Sequence, residues 1–241
     1  MNRVIAGLLL TAATVGAEAS EGQAALQHVK IDIFDQASVR RGAEFYVNYC
    51  QGCHSLKHIR YSRLAKDYDI DDETMKKTFL LGERKMHETL LSAMAPADAE
   101  AWFGAPAPDL SLTARARGAD WIYSYLRSFY LDPTRPTGVN NLYVDNVAMP
   151  NVLAELQGLQ KPVMGHEGGV EYIERFDRVR AGHMKPAEFD QALTDLMNFL
   201  VYVGEPAQLQ RLPLGKYVLL FLLVFTYLAY KLKKAFWQDL H

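Results

Sequence analysis

Hydrophobic and polar positions follow three distinct patterns along this chain. Near the carboxyl end, Tyr217 to Tyr230 reads YVLLFLLVFTYLAY without a charge. Extended back to Pro213 it predicts a helix of about 27 Å, close to the roughly 30 Å hydrocarbon core of a bilayer. Its Leu, Val and Phe residues together favour insertion by about 3 to 5 kcal/mol. A second apolar stretch, Val4 to Val15, follows Arg3 and precedes the small residues Ala17 and Ala19. It is short for a membrane span, and the order predicts a secretory signal peptide over residues 1–19. Elsewhere the pattern is amphipathic and helical. Val39, Ala43, Tyr46, Cys50 and Cys53 recur at steps of four and three, as do Phe189, Leu193, Leu196, Leu200 and Val203. Each set predicts one buried helix face, and the two helices are expected to pack together. Ser38 is placed to cap the first. Pro186 opens the second, and Gly204 and Pro206 close it. The aromatic segment Tyr123 to Tyr130 reads as a buried helix end rather than a stacking platform for nucleic acid.

These elements divide the chain into a signal peptide (1–19), an exported domain (20–204), a linker (205–212), a transmembrane helix (213–230) and a tail (231–241). Lys216 can snorkel to one membrane interface. Lys231, Lys233 and Lys234, with Tyr227, Tyr230 and Trp237, mark the other, and the positive-inside tendency makes the tail cytoplasmic. A mitochondrial transit peptide would be richer in arginine and serine, so export across a bacterial inner membrane into the periplasm is expected. The rest of the composition, 22% charged and 49% hydrophobic, is that of a folded domain. Net charge is −2 for the whole chain, while residues 212–241 carry three more cations than anions, so the exported part is strongly acidic. Such a domain attracts basic partners and repels nucleic acid. The run Asp67, Asp69, Asp71, Asp72, Glu73 reads either as a solvated loop or as a patch that steers a basic protein.

There are two cysteines, in the string Cys50-Gln51-Gly52-Cys53-His54. So close a pair closes too short a loop to act as a staple. The spacing matches the attachment site of a c-type haem: two sulfurs one helical turn apart for the thioether bonds, and His54 as the proximal iron ligand. A thioredoxin-like CxxC would need a nearby strand–helix–strand pattern, and a zinc site would need a second pair of ligands. A low-spin electron carrier also needs a sixth ligand, usually Met or His. The candidates are Met75, Met86, Met94, Met149, Met164, Met184 and Met197, and His28, His58, His87, His166, His183 and His241. Most of these methionines read as core filler. Met149 leads, because it lies in a loop after a run of turn-formers and Pro150 biases it to an extended backbone that presents its side chain.

The ordered set of motifs is more specific than CxxCH alone. Ser38-Val39-Arg40-Arg41-Gly42, Tyr46, Cys50 to Ser55, Ala107-Pro108-Asp109-Leu110-Ser111, Arg115-Ala116-Arg117, Pro136 to Val139, Met149-Pro150 and Glu205-Pro206 resemble the cytochrome c1 family across nearly all of the mature chain. The resemblance implies that Met149 is the sixth ligand, that Pro108 packs over the haem and that Arg117 faces a haem propionate. The family often has Tyr where this chain has Trp121, so a hydrogen bond from that phenol is not carried over. The segment between the haem motif and Pro108 also looks shorter than in mitochondrial relatives. The implied fold is mostly α: a cytochrome c-like haem domain with long loops, plus one C-terminal transmembrane helix. The implied role is electron transfer in a quinol–cytochrome c reductase (bc1) complex. One covalent haem c would be reduced by the Rieske iron–sulfur protein and would reduce a soluble c-type cytochrome, with cytochrome b as neighbour and no bond-making catalysis by the chain itself. Two other readings are a membrane-anchored cytochrome of a terminal oxidase or other respiratory complex, and a haem sensor or peroxidase whose distal ligand dissociates.

Overall fold

Two long helices that the amphipathic pattern predicts form the spine of the domain. The structure, a computed structural model, describes residues 24–238. The predicted signal peptide, His241 and the end of the tail lie outside the described residues. In chain order the elements are α1 (Gln36–Tyr49), β1 (Leu56–Arg60), α2 (Tyr61–Asp67), α3 (Asp72–Thr74) continuing as a π-helical turn (Met75–Phe79), β2 (Thr89–Leu90), α4 (Pro96–Phe103), α5 (Thr113–Arg117), α6 (Ala119–Arg127), β3 (Phe129–Leu131), β4 (Val139–Asn141), α7 (Ala154–Gln157), β5 (Gly158–Glu167), β6 (Val170–Ala181), α8 (Pro186–Gly204) and α9 (Gln208–Phe236). The strands pair only locally, as antiparallel ladders β1–β2, β3–β4 and β5–β6. About half of the described residues are helical and the strands form only two-stranded ladders, in keeping with the expected mostly α fold.

α1 packs on α8 through the two predicted faces. Val39, Ala43, Tyr46, Leu193, Leu196, Leu200 and Val203 are all buried, and the Tyr46 and Phe199 rings meet at 5.6 Å. The helices touch at Gly42: a Cβ there would lie 1.9 Å from the Asp195 carbonyl oxygen. A buried polar network locks the contact. Ser38 Oγ donates to Asp195 Oδ1 at 2.6 Å, Asn198 Nδ2 donates to Ser38 Oγ at 2.8 Å, and Arg41 Nε pairs with Asp195 Oδ2 at 2.7 Å. Ser38 is therefore not the helix cap. Asp35 caps α1 by accepting from the Ser38 backbone N–H at 3.0 Å, and this leaves the serine hydroxyl free to cross to α8.

Three further features differ from the sequence reading. α6 stops at Arg127, so Phe129 and Tyr130 leave the helix and enter β3. β5 and β6 form a long hairpin that the hydrophobic pattern did not predict, joined by Gly168 and Gly169 with φ of +58° and +84°. Two consecutive left-handed residues make the tight turn that matches strand twist, and glycine adopts that backbone without strain. The acidic run is partly structural. Asp67 accepts from Tyr202 Oη at 3.0 Å and from Arg63 Nε at 2.5 Å, tying α2 to α8, and Asp71 caps α3.

α9 begins at Gln208, before the predicted apolar span, and continues past it to Phe236. Its apolar side chains are exposed along its length, and it is long and apolar enough to cross a membrane. Glu205 secures its start, pairing with Arg115 Nη1 at 2.8 Å and Arg211 Nε at 3.0 Å.

Candidate functional site

α1 ends at Tyr49, one residue before the first cysteine, so the predicted helix does not carry both sulfurs. A tight turn does so instead. The Cys50 and Gln51 N–H groups donate to the Tyr46 carbonyl at 2.8 and 2.9 Å, and the Cys53 and His54 N–H groups donate to the Cys50 carbonyl at 3.1 and 2.8 Å. This folding brings Cys50, Cys53 and His54 to the same cleft. Two residues that sequence reasoning missed hold the turn. Gln51 points inward, donating to Tyr61 Oη at 2.6 Å and to the Leu91 carbonyl at 3.2 Å, and Arg84 donates to the same two oxygens. Tyr46 Oη donates to the His54 carbonyl at 2.6 Å, and burial pushes its phenol far above the ordinary range. Burial, with Cys53 beside it, pushes the free Cys50 thiol up to about 12. That is the reverse of the low thiol pKa on which redox CxxC pairs depend.

The segment after the turn is bonded to the Pro108–Ser111 loop along its length. His54 Nδ1 lies 2.8 Å from the Pro108 carbonyl, Leu110 N donates to the Ser55 carbonyl at 2.9 Å, Lys57 N to Asp109 Oδ2 at 2.9 Å, and His58 N to Ser111 Oγ at 3.2 Å. Burial alone would raise the Asp109 carboxyl, but hydrogen bonds from Ser111 and Lys57 hold it below the usual range. A carbonyl only accepts, so the His54 proton must sit on Nδ1, which leaves Nε2 with a free lone pair. Burial lowers the His54 pKa, against the opposing pull of Pro108 and Asp109, and keeps the ring neutral. A metal-binding imidazole needs this second-shell arrangement.

The cleft is open to solvent and lined mainly by apolar side chains. One wall is the attachment turn. A second is the 94–108 segment, tied to the first by Met94 N on the Gly52 carbonyl (3.2 Å) as well as by Pro108. The third is Ala148 to Leu153, with Leu126 behind it. Of the candidate methionines, only Met94 and Met149 line the cleft among the described residues. Met75 and Met197 are buried in the core, Met86 and Met184 pack against it, and Met164 lies exposed on the hairpin. Met149 also rests on a small satellite core of Phe129, Val139 and Val147. Its Sδ accepts a hydrogen bond from Tyr125 Oη at 3.4 Å. Arg117 does not line the cleft: its guanidinium lies 4.4 Å above the Trp121 ring. Cys50, Cys53, His54, Pro108 and Met149 are therefore gathered in one place, and Arg117 stands outside it. The set fits a planar macrocycle with two sulfur attachment points, one neutral imidazole and one thioether.

Comparison with known proteins identifies the family. The family model described as "Cytochrome C1 family" matches residues 27–240. The protein named cytochrome c1 of Allochromatium vinosum is 47% identical, with all of this chain and all of that one aligned. A protein of Nitrosomonas europaea named ammonia monooxygenase gamma subunit is 40% identical over 93% of each chain. A chain of the solved structure "Hyperthermophilic respiratory Complex III" aligns with 90% of this chain and 89% of its own length, at a TM-score of 0.42 and 16% identity.

Proposed function

The chain belongs to the cytochrome c1 family in its bacterial form, and from that premise we propose that it is the electron-transfer subunit of a quinol–cytochrome c reductase. It takes single electrons from the Rieske iron–sulfur protein and passes them to a soluble c-type cytochrome, with cytochrome b as its membrane neighbour. The observation that carries this reading is the Nδ1 proton of His54 held on the Pro108 carbonyl in an apolar cleft that also contains Cys50, Cys53 and Met149. A c-type haem bound there supplies reversible one-electron chemistry at a potential raised by His/Met ligation.

The chain's own residues do the rest. Cys50 and Cys53 would attach one haem covalently, and His54 would present Nε2 to its iron. Met149 would be the sixth ligand. The cleft's other methionine, Met94, is anchored to the attachment turn itself, whereas Met149 comes from the wall that this turn does not hold. Pro108 closes the cleft beside His54 and fixes the tautomer. Arg117 engages an aromatic ring rather than a carboxylate, and so it remains available to a haem propionate. A haem held by both His54 and Met149 would keep no open coordination site for bond-making catalysis. The exposed α9 anchors the domain in the inner membrane, with residues 20–204 in the periplasm and the tail in the cytoplasm.

Quinol-driven reduction of this haem in native membranes tests the assignment, measured with and without an inhibitor of quinol oxidation at cytochrome b. Inhibitor-sensitive reduction is expected. Equal reduction with the inhibitor present would move the chain to another respiratory assembly, such as a terminal oxidase.

A further inference from the structure

Outside the attachment turn and the Pro108–Ser111 loop bonded to it, one phenol is directed at a proposed ligand atom. Tyr125 Oη has Met149 Sδ, at 3.4 Å, as its hydrogen-bond partner among the described residues. A thioether sulfur is a weak acceptor, and a largely buried phenol ordinarily finds an oxygen. Tyr125 is nevertheless held there firmly. Its ring stacks on Trp121 at 5.1 Å with planes 7° apart, and it meets Phe129 edge-on at 5.1 Å. Its carbonyl accepts from Asn141 Nδ2 at 2.8 Å. Arg117 lies over the Trp121 ring, and Arg117, Trp121, Tyr125 and Phe129 succeed one another at steps of four along α5, α6 and β3. Trp121 itself has no hydroxyl to offer. One helical turn further on, Tyr125 supplies a phenol.

We infer that Tyr125 is a positioning residue that sets the redox potential of this site by donating a hydrogen bond to the sulfur of Met149. The inference rests on Met149 being the sixth ligand. A donor on the sulfur draws electron density from it and makes it a weaker donor to ferric iron, so the reduced state is favoured. Removing the hydroxyl alone should therefore lower the potential while leaving the ring stack, the attached haem and the fold as they were.

Redox titration of the intact complex, followed at this haem, tests the inference with Tyr125→Phe beside Met149→Leu. For Tyr125→Phe, the reduced-to-oxidised ratio at a fixed ambient potential is expected to fall by about three- to tenfold, the weight of one hydrogen bond. The methionine–iron charge-transfer absorption of the oxidised protein and the thermal midpoint should be retained. A fluorinated tyrosine at position 125 is a stronger donor of nearly the same shape, and it should move the ratio the other way. It also keeps the test open if Tyr125→Phe fails to accumulate. An unchanged ratio in both Tyr125 variants, with Met149→Leu strongly shifted, overturns the role of Tyr125 and leaves the ligand assignment standing. Loss of the charge-transfer absorption in Tyr125→Phe also overturns it, because the phenol would then hold the ligand rather than tune it. An unchanged Met149→Leu overturns the ligand assignment, and this inference with it.

Discussion

His54 and Met149 face the same cleft, but the protein holds them in different ways. His54 belongs to a segment bonded to the Pro108–Ser111 loop at successive residues, with its ring proton on one backbone carbonyl and its own carbonyl on Tyr46. Met149 is seated on a small satellite core and touched by one side-chain hydroxyl. The proximal wall is thus made of backbone hydrogen bonds, which fix a tautomer and a direction. The wall that carries Met149 is made of aromatic packing and one weak polar contact. The contrast separates stability from potential, and mutations should separate them too.

The largest effect should come from the contact beneath both walls. Gly42→Val places a side chain where the Asp195 carbonyl stands and forces α1 off α8. A loss of at least about 3 kcal/mol is expected, read as failure of the haem-bearing protein to accumulate. Next comes the proximal wall alone. Asp109→Ala leaves the Lys57 and Ser111 N–H groups without their acceptor, at a cost of about 1 to 3 kcal/mol in denaturant unfolding, with little change in potential. Met149→Leu should show the reverse, costing less than about 1.5 kcal/mol of stability while the haem stays attached and its potential falls.

The pH dependence of the same wall follows from the sign of the Asp109 shift. Its carboxyl lies below the usual value in the folded protein, so the unfolded chain binds that proton more readily. The stabilisation is complete above the ordinary carboxylate pKa of about 4 and is lost as pH falls through the folded value. The stability gap between wild type and Asp109→Ala should therefore narrow in acid, as a series of thermal melts would show. The smallest effect is expected at Met94→Leu. It lines the cleft from the wall tied to the attachment turn, and both the potential and the thermal midpoint should stay close to wild type.

The long-range regularities were legible in the sequence. The α1 and α8 faces, the apolar α9 and the CxxCH string each repeat or cluster in a way one chain displays by itself. Met149 could be ranked first by its loop and its proline, whereas the burial of Met75 and Met197 in the core shows only in the fold. What was not legible depends on residues distant in sequence. Ser38 was read as a cap because serine caps helices, but Asp195, far along the chain, engages its hydroxyl. Pro108 was expected to pack over the haem, yet its carbonyl oxygen has the sharper role, and no side-chain pattern reports a carbonyl. The role of Gln51 depends on Tyr61 and Leu91, which only the fold brings within reach of its amide. The β5–β6 hairpin did have a local signal in Gly168-Gly169 between β-branched and aromatic residues, a two-residue turn that periodicity alone passes over.

Carbon monoxide binding to the reduced haem of the intact complex, in wild type and in Met149→Leu, tests the two-wall account most directly. The account predicts no binding in wild type, where His54 and Met149 fill both axial positions, and one carbon monoxide per haem in the variant, where the distal position opens and His54 stays fixed. Binding in wild type, or refusal by the variant, would contradict it.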